Sequence, residues 1–153
     1  MSIAYFNNES EEDFMKGYND GVKQLSSAVK NKQLIEDECI IMINTERKKI
    51  FAVGKANNKP IEVTLFENRS VYRKNKYNKF EVTLKYVHLF KEPIDYKTVK
   101  TYIGIDLGVK SSIDNYQHLS QGGIRKFGVW SVTVEKKEAI MNNLVRWIET
   151  YLP

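Results

Sequence analysis

The densest group of side chains able to bind a polyanion lies between positions 69 and 80. Its basic members fall within eleven positions: Arg69, Arg73, Lys74, Lys76 and Lys79. Tyr72, Tyr77 and Phe80 lie among and beside them. Lysine and arginine bind phosphates, and the faces of aromatic rings stack on bases. Residues 69–79, the basic segment, are therefore a candidate nucleic-acid contact, with a solvated surface loop as the alternative. For Phe80 the alternative is a place in a sheet.

The distribution of charge along the chain points to the same region. The formal net charge is +5. Residues 47–100 hold 14 Lys and Arg against 5 Asp and Glu, whereas residues 1–46 hold 4 against 9 and residues 101–153 hold 6 against 5. A basic block of this kind is typical of a surface that meets phosphate, although runs of charge often serve only solubility.

A second candidate group lies in the last third of the chain. Glycines flank the basic pair Arg125 and Lys126, and two aromatic residues, Phe127 and Trp130, follow it. Glycine permits a backbone to approach a ligand closely, and a tryptophan can form a wall for a planar group. Trp130 also shares the apolar phase of a strand predicted over 129–134, so a core position is the alternative.

The sequence contains no complete catalytic constellation. Cys39 is the single cysteine, lies in an apolar run that favours burial, and has no evident base partner. Glu135 and Lys137 have the spacing of a nuclease Glu-x-Lys motif, but they open the last predicted helix instead of lying on a strand. Residues 104–108 resemble the start of actin-like ATPases and ribonuclease-H-like folds without the further carboxylates that such sites need. With two histidines and one cysteine, we expect neither a metal site nor a cofactor.

Hydrophobic periodicity predicts a helix at each end of the chain. Apolar residues at helical spacing predict a first helix over 11–31, capped by Ser10, which Gly17 and Gly21 can bend or interrupt. These apolar residues are Phe14, Tyr18, Val22, Leu25 and Val29. A second stripe of apolar residues, from Ile140 to Leu152, predicts the closing helix.

The middle of the chain is predicted to be rich in strands. The predicted strands lie near 38–43, 48–56, 61–66, 80–90 and 129–134. The first two form a hairpin across the polar turn at 44–47. Inside 80–90 the apolar phase changes from one face to the other, as a β-bulge or a barrel corner would produce. Pro93 is predicted to end that strand, with short helices over about 95–102 and within 111–121.

The order of elements from about residue 36 to residue 100 resembles the EVE branch of the PUA-like superfamily. Its most specific parts are Ile50 to Gly54, an Ile/Phe-Ala-x-Gly strand core, and Leu89 to Ile94, a turn of the apolar-Lys/Glu-Pro-Ile type. The resemblance implies a small β-barrel flanked by helices. It also implies kinship with the YTH readers of methylated adenine and with the DNA-reading domains of some modification-dependent restriction systems, which place a flipped modified base in an aromatic pocket.

This sequence departs from the family at one point that concerns the ligand. The tryptophan that many EVE domains carry early is absent before residue 130. An aromatic cage would therefore have to use Tyr18, Tyr72, Phe127 or Trp130.

Together these features predict one α+β domain over residues 1–153, a curved, mostly antiparallel PUA-like barrel with helices at both chain ends. We expect it to be cytoplasmic, because no apolar run is long enough to span a bilayer and the first residues lack the features of a signal peptide. The expected partner is nucleic acid, DNA or RNA, and not a membrane, with a reader of a modified base as the finer prediction. A protein-interaction domain that docks an acidic partner is the main alternative, and a small nuclease the weaker one.

The predicted site residues fall into two sets. The phosphate contacts are Arg69, Arg73, Lys74, Lys76, Arg125 and Lys126. The base-stacking residues are Trp130, Tyr72, Tyr77, Phe127 and Tyr18.

Overall fold

A computed structural model of the chain describes residues 1–27, 34–62, 80–95, 98, 123–126 and 134–153. The described elements, in chain order, are β1 Ser2–Phe6, α1 Asn8–Asn19, β2 Gln24–Ser27, β3 Cys39–Asn44, β4 Lys49–Ala56, β5 Ile61–Glu62, β6 Phe80–Asp95, β7 Gly123–Lys126 and α2 Val134–Glu149. The predicted helix within 111–121, most of the one over 95–102 and residues 129–133 of the strand predicted over 129–134 lie outside the described residues. The last residue of that predicted strand, Val134, is instead the first residue of α2.

The described strands form one strongly curled half-barrel sheet. Their order is β2-β6-β4-β3-β1-β7, and β5 pairs with the first residues of β6. Strands β1 and β3 run parallel, whereas the other described pairs are antiparallel. The protein therefore has the predicted α+β class, with a curved, mostly antiparallel sheet and a helix near each chain end.

The sheet is buried on both faces at its centre. Every residue of β3 is buried, and its side chains alternate between two core clusters: Ile41 and Ile43 pack with α2, and Ile40 and Met42 pack with α1. Continuous burial of this kind is typical of a strand covered on both sides. We call the two sides the α1 face and the α2 face. Neither described helix is long and apolar enough to cross a membrane.

The beginning of the chain differs from the prediction. Ser2–Phe6 form strand β1, which pairs with β3 and β7 and so lies inside the sheet. The helix that follows is capped by Asn7 instead of Ser10. Asn7 Oδ1 accepts the Ser10 N–H at 2.8 Å, and Ser10 Oγ accepts the Asn7 N–H at 2.9 Å. This is a capping box one turn earlier than predicted, with Ser10 at the third helical position.

The end of the first helix also corrects the prediction. Gly21 has φ +86°, and the Val22 N–H donates to the Gly17 carbonyl at 2.7 Å. The Gly21 N–H donates to the Tyr18 carbonyl at 3.0 Å, which completes a Schellman motif. Leu25 is therefore a buried residue of β2, paired with β6, and not part of a helix over 11–31.

The predicted change of phase inside the long strand is confirmed as an irregularity at Lys85. The pairing of β6 with β4 shifts there, so that Lys85 has no partner on β4. Val82 and Leu84 before the shift, and Val87 and Leu89 after it, all pack on the α1 face. The alternate residues after the shift belong to the opposite side and are Tyr86, His88 and Phe90. The shift keeps the apolar residues of β6 on one face, so the prediction that they change from one face to the other is wrong.

Pro93 does not end β6, which continues to Asp95. Ile50 on β4 pairs with Ile94, whereas Ala52 pairs with Leu89, so the register of the two strands shifts a second time between these pairs. Proline cannot donate the N–H that a regular ladder needs, and it is tolerated at a bulge because the ladder is interrupted there. The hairpin of β3 and β4 around residues 44–47 is confirmed.

Candidate functional site

The basic segment lies outside the described residues, but its attachment to the sheet is defined. Glu62 on β5 pairs with Phe80 on β6. The described residues on either side of positions 63–79 are therefore adjacent in the sheet. Phe80 is half-buried on β6, which confirms its place in the sheet. The predicted contacts outside the described residues here are Arg69, Tyr72, Arg73, Lys74, Lys76 and Tyr77.

The second predicted group is divided between described and undescribed residues. Arg125 and Lys126 lie on β7, where they pair with Ile3 and Ser2 of β1. The glycine-rich approach to Trp130 is therefore partly a strand of the sheet. Phe127 and Trp130 lie outside the described residues.

Tyr18 lies on α1, away from both basic groups along the chain. Its ring is half-buried and stacks on Phe14, with centroids 6.4 Å apart. It borders the core cluster of the α1 face. Of the predicted stacking residues, Tyr18 is the one whose side chain the structure describes.

The α2 face carries a group of rings that the sequence analysis did not single out. His88 and Phe90 on β6 have centroids 5.2 Å apart, and Tyr151, which follows α2, lies 5.0 Å from His88 and 4.9 Å from Phe90. Trp147 on α2 stacks on Phe90 at 6.1 Å and meets Tyr151 edge-on at 5.6 Å. Stacked and edge-to-face pairs of this kind are each worth about 0.5–1.5 kcal/mol beyond burial. The rings thus fix the end of α2 on the middle of β6.

Exposure separates these four rings and Tyr86, which lies on the same strand, into a supporting pair and an outer group. Trp147 is 8% exposed, and Phe90 packs against the buried cluster of the α2 face. Tyr86 is 36% exposed, and His88 and Tyr151 are half-buried. The register of β6 against β4 is unbroken from residue 86 to residue 89, so Tyr86 and His88 share one face. We call Tyr86, His88 and Tyr151 the ring platform.

Charged side chains lie beside the ring platform. Lys55 pairs with Tyr86 across β4 and β6, and its Nζ lies 3.5 Å from Glu149 Oε1. Lys85, next to Tyr86, donates a hydrogen bond to Asp37 Oδ1 at 2.6 Å. That hydrogen bond lowers the pKa of Asp37 and raises the pKa of Lys85. The platform therefore has two lysine side chains close to its most exposed ring, each in an ion pair.

The buried polar groups near β3 have structural partners. Asn44, fully buried, donates through Nδ2 to Asn8 Oδ1 at 2.8 Å, and its Oδ1 accepts the N–H groups of Glu46 and Arg47 at 3.0 and 2.9 Å. These bonds join the first turn of α1 to the turn of the β3–β4 hairpin. They hold the fold together and offer no group for chemistry.

Cys39 is 5% exposed, as predicted, and burial raises the pKa of its thiol. A raised pKa keeps the protonated form, which is a poor nucleophile. Glu135 and Lys137 are both exposed in the first turn of α2. Among the described residues, no group of three His, Cys, Asp or Glu side chains is placed to hold a metal ion.

The sequence contained a signal for the ring platform. Tyr86, His88 and Phe90 alternate along the strand and so belong to one face. By alternation alone they would continue the face of Val82 and Leu84, and only the position of the shift at Lys85 shows that they lie on the opposite face. Tyr151 was grouped with the apolar face of the last helix, and its contact with β6 depends on how α2 docks.

Comparisons with known proteins add little to this description. No family model matches the chain, and no curated protein matches it. Among solved structures, it is similar to the X-ray crystal structure of protein Atu2648 from Agrobacterium tumefaciens, at 13% sequence identity and a TM-score of 0.43, over 94% of this chain and 93% of that one.

Proposed function

We propose that this protein is a nucleic-acid-binding module that contacts phosphates through the basic segment. One observation carries the proposal: five basic residues within eleven positions lead directly into β6, and β6 then carries Tyr86, His88 and Phe90 on one face. Groups that bind phosphate and groups that can stack on bases thus follow one another on the same stretch of chain. Arg125 and Lys126, on the strand at the other end of the sheet order, are proposed to add further phosphate contacts.

The proposal is tested by the salt dependence of oligonucleotide binding. Each neutralised phosphate releases counterions, so log Kd varies linearly with log salt concentration. Replacing Arg73 and Lys74 with alanine should reduce the magnitude of that slope by about 1–2 units. The matched control is the double variant Lys16→Ala/Lys137→Ala, which removes the same charge from exposed positions on α1 and α2. Equal slopes for the two double variants would exclude the basic segment.

A protein-interaction domain for an acidic partner would also show salt dependence. Poly-glutamate separates the two functions, because it carries dense negative charge without bases. The nucleic-acid proposal predicts that an oligonucleotide of equal net charge binds more tightly than poly-glutamate at the same salt concentration. Equal affinity would favour the protein-interaction domain.

The resemblance to EVE domains extends the proposal to a modified base, with Trp130 as the residue to test. Trp130→Ala should weaken binding of a modified oligonucleotide much more than binding of the plain one, with little change in melting temperature. If Trp130 is a core residue, the same change should cost about 3–5 kcal/mol of stability. A large loss of stability with unaltered discrimination would exclude a pocket role.

A further inference from the structure

The ring platform brings aromatic side chains to the surface over a packed aromatic base. Tyr86 is 36% exposed, and His88 and Tyr151 are half-buried. Beneath them, Phe90 and Trp147 stack on each other, and His88 and Tyr151 both contact Phe90. His88 and Tyr151, held in this way, lose little conformational freedom when a ligand packs on them, so this part of the platform is preorganised for a planar group.

The backbone spacing of Tyr86 and His88 suits an unpaired nucleotide strand better than a duplex. Tyr86 and His88 are two residues apart on one strand, which separates their Cα atoms by about 6.6–6.8 Å. One strand of a B-form duplex rises by only about 3.4 Å per nucleotide. Two neighbouring bases can each contact one of these rings only if the distance between them increases to about twice the 3.4 Å of stacked bases. Bases that are paired in a duplex are not free to separate in this way.

The position of the platform on β6 favours nucleic acid over other planar ligands. The platform follows the basic segment along the chain, and Lys55, which is paired with Glu149, lies directly across from Tyr86. Aromatic side chains on the surface of a β-sheet stack on two or three bases in known RNA-binding sheets. Stacking tolerates any base because every base has a π-face.

We infer that the ring platform binds unpaired bases, so that the ligand is single-stranded nucleic acid and not a duplex. This inference rests on the proposed function, because the basic segment supplies the attraction for phosphate. Tyr86 and His88 each receive one base, and Tyr151 supports the base on His88. Phe90 contacts His88 and Tyr151, and Trp147 contacts Tyr151, so these contacts position two of the three platform rings.

The test compares single-stranded and duplex oligonucleotides of one sequence by fluorescence anisotropy at equal, low salt concentration. The full-length protein should bind the single strand more tightly. Tyr86→Leu and His88→Leu should each weaken single-strand binding about tenfold, with duplex binding unchanged. Tyr86→Phe, which keeps the ring, should bind the single strand as tightly as the wild-type protein does. Met15→Ala is the control, because it removes a half-buried side chain from the opposite face of the sheet and should leave binding unchanged. Tyr18→Leu tests the stacking residue that was predicted on that opposite face.

The possible results distinguish single-strand binding at the ring platform from nucleic-acid binding in general. Equal affinity for single strand and duplex, or wild-type binding by both Tyr86→Leu and His88→Leu, would overturn the inference while salt-dependent binding kept the proposed function. A loss of single-strand binding in Tyr18→Leu alone would also overturn it and place the stacking on the α1 face. Absence of binding to either form at low salt would refute the proposed function itself.

Discussion

The two faces of the sheet use aromatic residues in different ways. On the α1 face, Phe6, Phe14 and Phe51 form a closed triangle with centroids 5.0–6.0 Å apart, and all three are buried. On the α2 face, a comparable group of rings begins in the core at Trp147 and ends at the half-buried His88 and Tyr151. Tyr86, on the same face of β6, is 36% exposed. The same physical interaction thus closes one face and leaves rings partly exposed on the other.

This difference indicates which rings mainly stabilise the fold and which contribute less to it. The closed triangle holds α1 on the sheet and can change only at a cost in packing. The outer rings of the α2 face bury less surface, so their side chains contribute less to folding. A group of aromatic side chains that reaches the surface together is a candidate contact surface. Each prediction below probes this contrast.

The largest expected effect comes from emptying the closed triangle. Phe51→Ala should lower the free energy of unfolding by about 3–5 kcal/mol, because it removes a buried ring that contacts two others. Phe90→Ala on the open face should cost about 1–2 kcal/mol, since Phe90 is only half-buried. Urea denaturation of both variants measures the difference. Equal losses would show that the two faces are equally closed.

A smaller effect is expected where β4 and β6 approach each other. A Cβ atom at Gly54 would lie 2.7 Å from the Tyr86 carbonyl oxygen and 3.0 Å from Met42 Cε. Gly54→Ala should therefore cost about 1–3 kcal/mol, because backbone must move to admit the methyl group. Gly21→Ala is the comparison, since nothing lies within 4 Å of its Cβ position and only its φ of +86° opposes the change. A neutral Gly54→Ala would contradict this close approach beneath Tyr86.

The cap of α1 should contribute less again. Asn7→Ala removes the oxygen that accepts the Ser10 N–H at 2.8 Å, and should lower stability by about 1 kcal/mol. Asn19→Ala, at the exposed last position of the helix, is the control and should have little effect. Thermal denaturation followed by circular dichroism reports both. If Asn19→Ala cost as much as Asn7→Ala, the capping box would not be what fixes the start of α1.

The smallest effect concerns the ion pair beside the open face, and it depends on pH. The pKa of Asp37 is lowered by the hydrogen bond from Lys85, so its contribution is present above the ordinary carboxyl pKa and is lost as pH falls through the folded value. The pKa of Lys85 is raised by the same bond, so its contribution is lost only as pH rises through the folded value in the alkaline range. Asp37→Asn should lower the melting temperature slightly at neutral pH and not at pH values well below about 4. An effect of equal size at both pH values would exclude the ion pair as its cause.

Much of the fold could be predicted because strands and bulges leave local patterns. The hairpin of β3 and β4 followed from two apolar runs around a polar turn, and the shift at Lys85 followed from the change of apolar phase in β6. The first helix was predicted too long because Val22 and Leu25 continue its spacing by chance, whereas the positive φ at Gly21 ends it. Strand β1 has no alternation to reveal it, since both of its faces are buried.

The candidate site was less predictable because it depends on contacts between distant parts of the chain. The basic segment is visible as composition, and its attachment beside Phe80 appears only in the pairing of β5 with β6. The ring platform includes His88 and Tyr151, whose rings lie 5.0 Å apart although the two residues are separated by more than sixty positions in the sequence. Periodicity within one element cannot predict such a contact.

The most direct test of nucleic-acid binding on the open face is an NMR titration of the isotope-labelled protein with a single-stranded oligonucleotide. We predict that the largest changes in amide chemical shift fall on residues 86–90 of β6 and on Tyr151, with small changes along α1. Changes concentrated on α1 around Tyr18, or an absence of changes at saturating oligonucleotide, would contradict binding at the ring platform.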